Sequence, residues 1–241
     1  MSNSPSSVVQ QLAIGIRQLE KSRRRFDRDL QPVVSTGIPS LDLLLPHRGL
    51  LRGTLTEWVS TSIGSGAMTL AMMAARKGRE GRPVIIVDPQ HQFYPPAAKL
   101  LNLPLRSLTI IRPHNRRDTL WALEQALRSR AVGAVLATPD YVTSHEFRRL
   151  QLAAQVGNSL GLLVRTGIDQ HQATWADVRL RVKPVSTIGT THTRRLHIHI
   201  LYARGCHHDA GVVLDVCDES GTVCVVSKLS SAAISSRAAG A

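Results

Sequence analysis

The sequence predicts an α/β fold: a parallel sheet covered by helices on both faces, a small antiparallel β appendage, and an N-terminal helical arm. Three observations carry this. Between Thr54 and Arg165, short β-branched or apolar runs alternate with helical patterns, the order that builds a parallel sheet. Beyond Trp175 the period changes to strict two-residue alternation, as in Val178-Arg179-Leu180-Arg181-Val182 and Leu196-His197-Ile198-His199-Ile200-Leu201. The 241 residues are 43% hydrophobic, enough for a large core and too many for a disordered chain.

Residues 1–7 are polar and Ser-rich and are expected to be disordered. Val8, Leu12, Ile16 and Leu19 then recur at helical spacing and form one apolar stripe, with Arg23, Arg24, Arg25 and Arg28 on the polar face. Such an arm docks on a partner, on a membrane surface or on its own core. Pro32 ends it, giving a boundary after residue 32. A core over 33–228 begins with extended chain at Val33–Val34 and a short helix from Ser40 to Leu45. Next come a strand over Thr54–Val59, a loop over Ser60–Gly66 and a helix over Ala67–Lys77 with Gly78 as its C-cap. Strands are predicted at Pro83–Asp88, Leu108–Arg112, Ala134–Ala137 and Leu160–Arg165. The intervening helices fall at Pro95–Leu101, Arg117–Ser129 and Ser144–Asn158. Gly211–Val216 adds another alternating strand, and 229–241 reads as a flexible tail.

Charge and composition bound the function. Lys and Arg number 30 against 17 Asp and Glu, a net charge of +13 that suits an anionic partner. With 4% aromatic residues, extensive base stacking on single strands is not expected. No apolar run reaches the ~20 residues of a membrane span, and the N-terminus lacks the order of a signal peptide. Cys206, Cys217 and Cys224 have no CxxC spacing, so neither a disulfide framework nor a zinc site is expected, and a cytoplasmic setting fits.

The strand–loop–helix around residues 55–77 is where a phosphate-binding loop would sit. That loop needs glycines to turn backbone N–H groups inward, a lysine for charge and a hydroxyl for Mg²⁺. Here the window reads Thr61-Ser62-Ile63-Gly64-Ser65-Gly66-Ala67-Met68: Gly66 is kept, Thr61 replaces the first glycine, and Ala67 and Met68 replace the lysine and the hydroxyl. The surrounding run Ser35-Thr36-Gly37-Ile38-Pro39-Ser40-Leu41-Asp42, then Gly49-Leu50-Leu51-Arg52-Gly53 and Thr56-Glu57-Trp58, resembles the entry to a RecA-family ATPase core. Val84–Asp88, Trp175–Val182 and Arg195–Gly205 extend that resemblance. Within the superfamily, Asp118–Arg128, Phe147–Ala154 and Gly161–Arg165 are similar to ImuA, the RecA-like accessory protein of bacterial translesion cassettes. SulA-type division inhibitors share part of the pattern.

The resemblance implies a RecA-like core whose hydrolytic chemistry is lost. Gln90 stands at the glutamate position that activates water, and Thr138 at the Walker B aspartate, with Asp140 two residues on. No cofactor, metal or catalytic residue is therefore expected. The implied role is a non-enzymatic adaptor in error-prone translesion synthesis and the SOS-type damage response. Its partners would be an ImuB-like Y-family polymerase homologue and RecA; a SulA-like inhibitor or a weak nucleotide- or DNA-binding protein is the alternative. The two loops matching RecA's DNA-binding loops, Thr138–His145 and Thr166–Thr174, are short, and the second carries Asp169, His171 and Gln172. Weak, non-specific DNA contact is assigned to Arg116, Arg117, Arg148 and Arg149, and partner contact to Val8, Leu12, Ile16 and Leu19. His197, His199, His207 and His208 read as surface histidines of a hairpin, and Trp121 and Trp175 as core anchors.

Overall fold

The computed structural model describes residues 31–167, 174–185, 193–204, 210–217 and 219–227. The chain divides into two units, Met1–Pro32 and Val33–Ala241. The arm, with Val8, Leu12, Ile16 and Leu19, lies outside the described residues, as do the 229–241 tail, Asp169, His171, Gln172, Cys206, His207 and His208.

Strands β1 (Val33–Val34) and β2 (Leu50–Leu51) pair antiparallel and flank the short helix α1 (Pro39–Asp42). The main body alternates strictly: β3 (Leu55–Ser60), α2 (Ala67–Gly78), β4 (Val84–Val87), α3 (Pro95–Leu100), β5 (Leu108–Ile111), α4 (Arg116–Arg128), β6 (Ala134–Ala137), α5 (Ser144–Gly157) and β7 (Leu160–Thr166). Then follow β8 (Val178–Val185), β9 (Thr193–Ala203), β10 (Gly211–Cys217) and β11 (Val223–Ser227). Among the described residues they form a nine-stranded sheet in the order β11-β10-β9-β8-β3-β7-β6-β4-β5. From β8 to β5 neighbouring strands run parallel; β9, β10 and β11 continue the same sheet antiparallel, so the appendage extends the sheet's edge.

Two apolar layers flank the sheet. On one face Trp58, Ile86, Leu136, Leu162 and Leu180 pack against Leu70, Met73 and Ala74 of α2. On the other, Leu55, Val135 and Leu163 meet Leu123 and Leu127 of α4 and Phe147 and Leu150 of α5. The alternation of side chains along each strand feeds both layers, which is why the parallel strands read as continuous apolar runs.

Two expectations are corrected. Gly78 does not cap α2: it is the last helical residue, and Arg79 occupies the C-cap with right-handed geometry. Its small size serves packing, since a Cβ there would lie 2.7 Å from Cδ2 of Leu160. Trp121 and Trp175 are not core anchors, being 64% and 39% exposed. Trp121 lies on the side of α4 away from Leu123 and Leu127, which already fill the layer. The buried tryptophan is Trp58 of the central strand.

Candidate functional site

Strand β3 is buried along its whole length, so the loop leaving its C-terminal end is held at a fixed point on the sheet. Gly64 and Gly66 adopt φ of 80° and 90°, the left-handed region where a side chain is strained. Gly66 is also the N-cap of α2, and Leu196 of β9 leaves no room there for a Cβ. The backbone thus keeps the outline of a phosphate-binding turn running into a helix N-terminus.

The turn forms one wall of a cavity of about 310 Å³. The structure brings Gly64, Gly66, Ala67, Met68, Gln90 and Thr138 together in its lining, as the sequence reading grouped them; Thr61 is not part of the lining. Ala67 is buried between the cavity and the apolar layer on the α2 side of the sheet. Gln90 donates its amide N–H to the Asp140 carboxylate across the cavity, so each occupies the other. Asp140, two residues beyond Thr138, thus stays within the lining. Ser60 turns its hydroxyl to the Ser62 carbonyl (3.1 Å), closing the start of the loop.

Two further groups at the cavity, Asp88 and Arg194, were not assigned to the site from the sequence. Buried Asp88, at the end of β4, accepts the backbone N–H groups of Gln92 (2.9 Å) and Phe93 (3.2 Å) and pairs with Arg112 at 3.6 Å. It thereby fixes the turn that presents Gln90 and Gln92 to the cavity. The strand ending Val-Asp-Pro carried that signal. Arg194 of β9 also lines the cavity, brought there by the β8–β9 pairing.

On the opposite face of the sheet, Glu57 is fully buried and receives Arg165 Nη1 at 2.8 Å, Arg179 Nε at 2.6 Å and the Thr174 hydroxyl at 2.7 Å. A charge so deep in the protein requires partners of this kind. The cluster ties β3, β7 and β8 together through side chains as well as through their ladders.

The basic residues assigned to DNA contact lie on α4 and α5 and are mostly engaged. Arg116 pairs with Glu146, Arg149 with Glu124, and Arg148 with the side-chain amide oxygen of Gln151 while lying 5.2 Å from the centre of the Trp175 ring. Arg117 is exposed. Glu146 belongs to the capping box of α5 with Thr143. Burial works to raise its pKa, but hydrogen bonds from the Thr143 backbone and hydroxyl and the Arg116 guanidinium outweigh it and hold the carboxyl below its ordinary range.

His197 and His199 share one face of β9, with ring centres 6.0 Å apart. Burial first, and then the charges of His199, Arg181 and Lys183, push His197 below the ordinary histidine range. No group of three or more metal-ligating residues occurs among the described residues. Cys217 and Cys224 are free thiols. No helix among the described residues is long and apolar enough to cross a membrane.

The sheet order, the loop after β3 and the helices on both faces define a RecA-like α/β fold. The crystal structure of the RadB recombinase superposes on the chain with a TM-score of 0.62, covering 78% of this chain and 97% of RadB at 17% identity. In sequence the chain is similar to protein RecA of Chloroherpeton thalassium, 34% identical over 167 residues (65% of this chain, 46% of the relative). It is also similar to RecA of Deinococcus radiodurans, 33% over 155 residues (64% and 41%), and of Rhodopirellula baltica, 32% over 134 residues (55% and 35%). The chain spans less than half the length of these curated relatives. No family model matches it.

Proposed function

We propose that this chain is a RecA-like protein that does not hydrolyse ATP and serves as an adaptor in the DNA-damage response. By its ImuA-like motifs, that response is error-prone translesion synthesis with a Y-family polymerase homologue as partner. The observation that carries this reading is the cavity after β3, whose backbone outline persists while its chemistry has changed. A magnesium–triphosphate needs a lysine at position 67, a hydroxyl at 68, a carboxylate at the end of β6 and an acid or base for water. Those positions hold Ala67, Met68, Thr138 and Gln90, Asp140 is bonded to Gln90, and the cation of the lining is Arg194 of β9 in place of a lysine of the loop. This set does not fit the nucleotide. The Gln90–Asp140 bond instead ties the turn after β4 to the segment after β6, as suits a scaffold.

Calorimetry with MgATP tests the reading: no binding tighter than about millimolar and no phosphate release are expected. Micromolar affinity or measurable turnover overturns it. Co-expression with the polymerase homologue is expected to yield a stable complex, whereas septum-arrested filaments without such a complex point to division inhibition instead.

A further inference from the structure

We propose that the outer face of α4 and α5 docks an acidic, amphipathic segment of a partner protein. The proposal rests on the adaptor reading and names its surface and the chemistry of what binds there.

Trp121 of α4 is 64% exposed, and Leu152 and Val156, one turn apart on α5, are 44% and 56% exposed. Scattered apolar side chains are ordinary on a surface; here a tryptophan and two aliphatic residues stand exposed on adjoining helices. Their neighbourhood follows from two contacts. Arg116 meets Glu146 near the start of the helices, and Gly157 lies against the Leu127 carbonyl near their end. Both pairs have the same sequence offset, so the helices run side by side in register and Trp121 stands level with Gln151 and Leu152.

Around this patch the charge is mainly positive: Arg116, Arg117, Arg128, Arg148 and Arg149 against Asp118, Glu124 and Glu146. Glu124, nearly buried, holds Arg128 at 2.7 Å and also holds Arg149, so these guanidinium groups are set in place before any partner arrives. An apolar centre with an Arg-rich rim complements a helix with large apolar residues on one side and carboxylates on the other. Tryptophan and arginine are also the side chains that most often dominate binding energy.

Nucleic acid fits this face less well. The planar arginine Arg116 already lies 5.7 Å from the centre of the Tyr141 ring, and Arg148 covers Trp175, whose indole N–H is bonded to Ser144. Bases would have to displace these arginines, and neither bases nor phosphates make use of Leu152 or Val156.

The test uses the full chain and fluorescence anisotropy with three probes. One is a synthetic helical peptide with Leu and Phe at i, i+4 and i+7 and Glu elsewhere; the second has Lys in place of Glu; the third is an oligo-dT strand. The acidic peptide is expected to bind saturably and the lysine peptide not to bind. Trp121→Ser with Leu152→Ser is expected to weaken the acidic peptide at least about tenfold. Arg117→Glu with Arg128→Glu should exchange the preference toward the lysine peptide. Leu43→Ser, an exposed leucine elsewhere, should change nothing, and thermal melts confirm that each variant is folded. Absence of saturable binding, indifference to the Trp121 and Leu152 changes, or loss of oligo-dT binding in place of peptide binding overturns the proposal. A polymerase homologue that still associates with the Trp121/Leu152 variant also overturns it while leaving the adaptor reading intact. MgATP turnover alongside normal peptide docking overturns the adaptor reading and leaves this surface standing.

Discussion

Ala67 is the position at which one substitution most nearly restores a nucleotide site, and that substitution is expected to fail. In Ala67→Lys the new amine would enter a cavity in which Met68, Gln90 and Thr138 still lack a metal hydroxyl, an acid and a metal carboxylate. A malachite-green phosphate assay should read background for both the variant and the parent. Glu57 behaves in the opposite way, as a residue whose loss is felt everywhere. Glu57→Gln removes the carboxylate that two buried guanidinium groups share, and a cost of about 3–5 kcal/mol is expected in urea unfolding. A difference under about 1 kcal/mol would show that the cluster contributes little. The contrast explains what could be read beforehand. The loop residues 64–68 were legible because the turn glycines and Ala67, which stands where a phosphate-binding loop carries lysine, fall in one short window. Glu57 was not, because Arg165 and Arg179 are 108 and 122 residues away and only the sheet brings them together.

Helix α5 depends on its first turn. Thr143 accepts the Glu146 backbone N–H, and Glu146 reaches back to the Thr143 N–H at 2.8 Å. Thr143→Ala is expected to cost about 1 kcal/mol in denaturant melts. The carboxyl of Glu146 is held below its unfolded value, so its contribution is present above the ordinary glutamate range and is lost as pH falls through it. Glu146→Gln should therefore have a shallower loss of melting temperature between about pH 5 and pH 3 than the parent. Strand β9 has a second, milder dependence. His197 is pushed down, so the unfolded chain takes up its proton first, and stability is lost as pH drops below about 6.5. His197→Gln should flatten melting temperature between about pH 7 and pH 5.5, and a proton NMR titration midpoint at or above 6.5 would contradict this. The limits of α4 and α5 were legible within a residue, Arg117–Ser129 and Ser144–Asn158 being expected where Arg116–Arg128 and Ser144–Gly157 are found. The exposure of Trp121 was not. A helix pattern ranks faces by hydrophobicity, and it cannot tell an apolar residue facing the sheet from one kept outside beside Arg117.

Taken over the whole chain, a charge of +13 predicts how any DNA affinity behaves. Binding to unrelated duplexes should be similar, and it should fall steeply between about 50 and 200 mM salt; indifference to salt in an anisotropy titration would exclude phosphate contacts as its source. The sheet order was legible only in class. The β–α alternation implies parallel strands, but no local pattern says that β3 lies between β7 and β8, because those pairings join segments remote in sequence. That placement also governs how the molecule comes to exist. Ser60 and Thr166, neighbours at the end of the central ladder, are 106 residues apart, whereas β9, β10 and β11 are joined by short connections. Closing a long loop before any contact rewards it is slow, so the hairpin strands should gain amide protection first in pulse-labelled refolding and β3 late. During synthesis this strand, buried along its whole length in the finished protein, then waits without its parallel neighbours until β7 and β8 have emerged. The same burial that makes β3 a rigid mount in the finished protein leaves it uncovered, and open to aggregation, while the chain is being made.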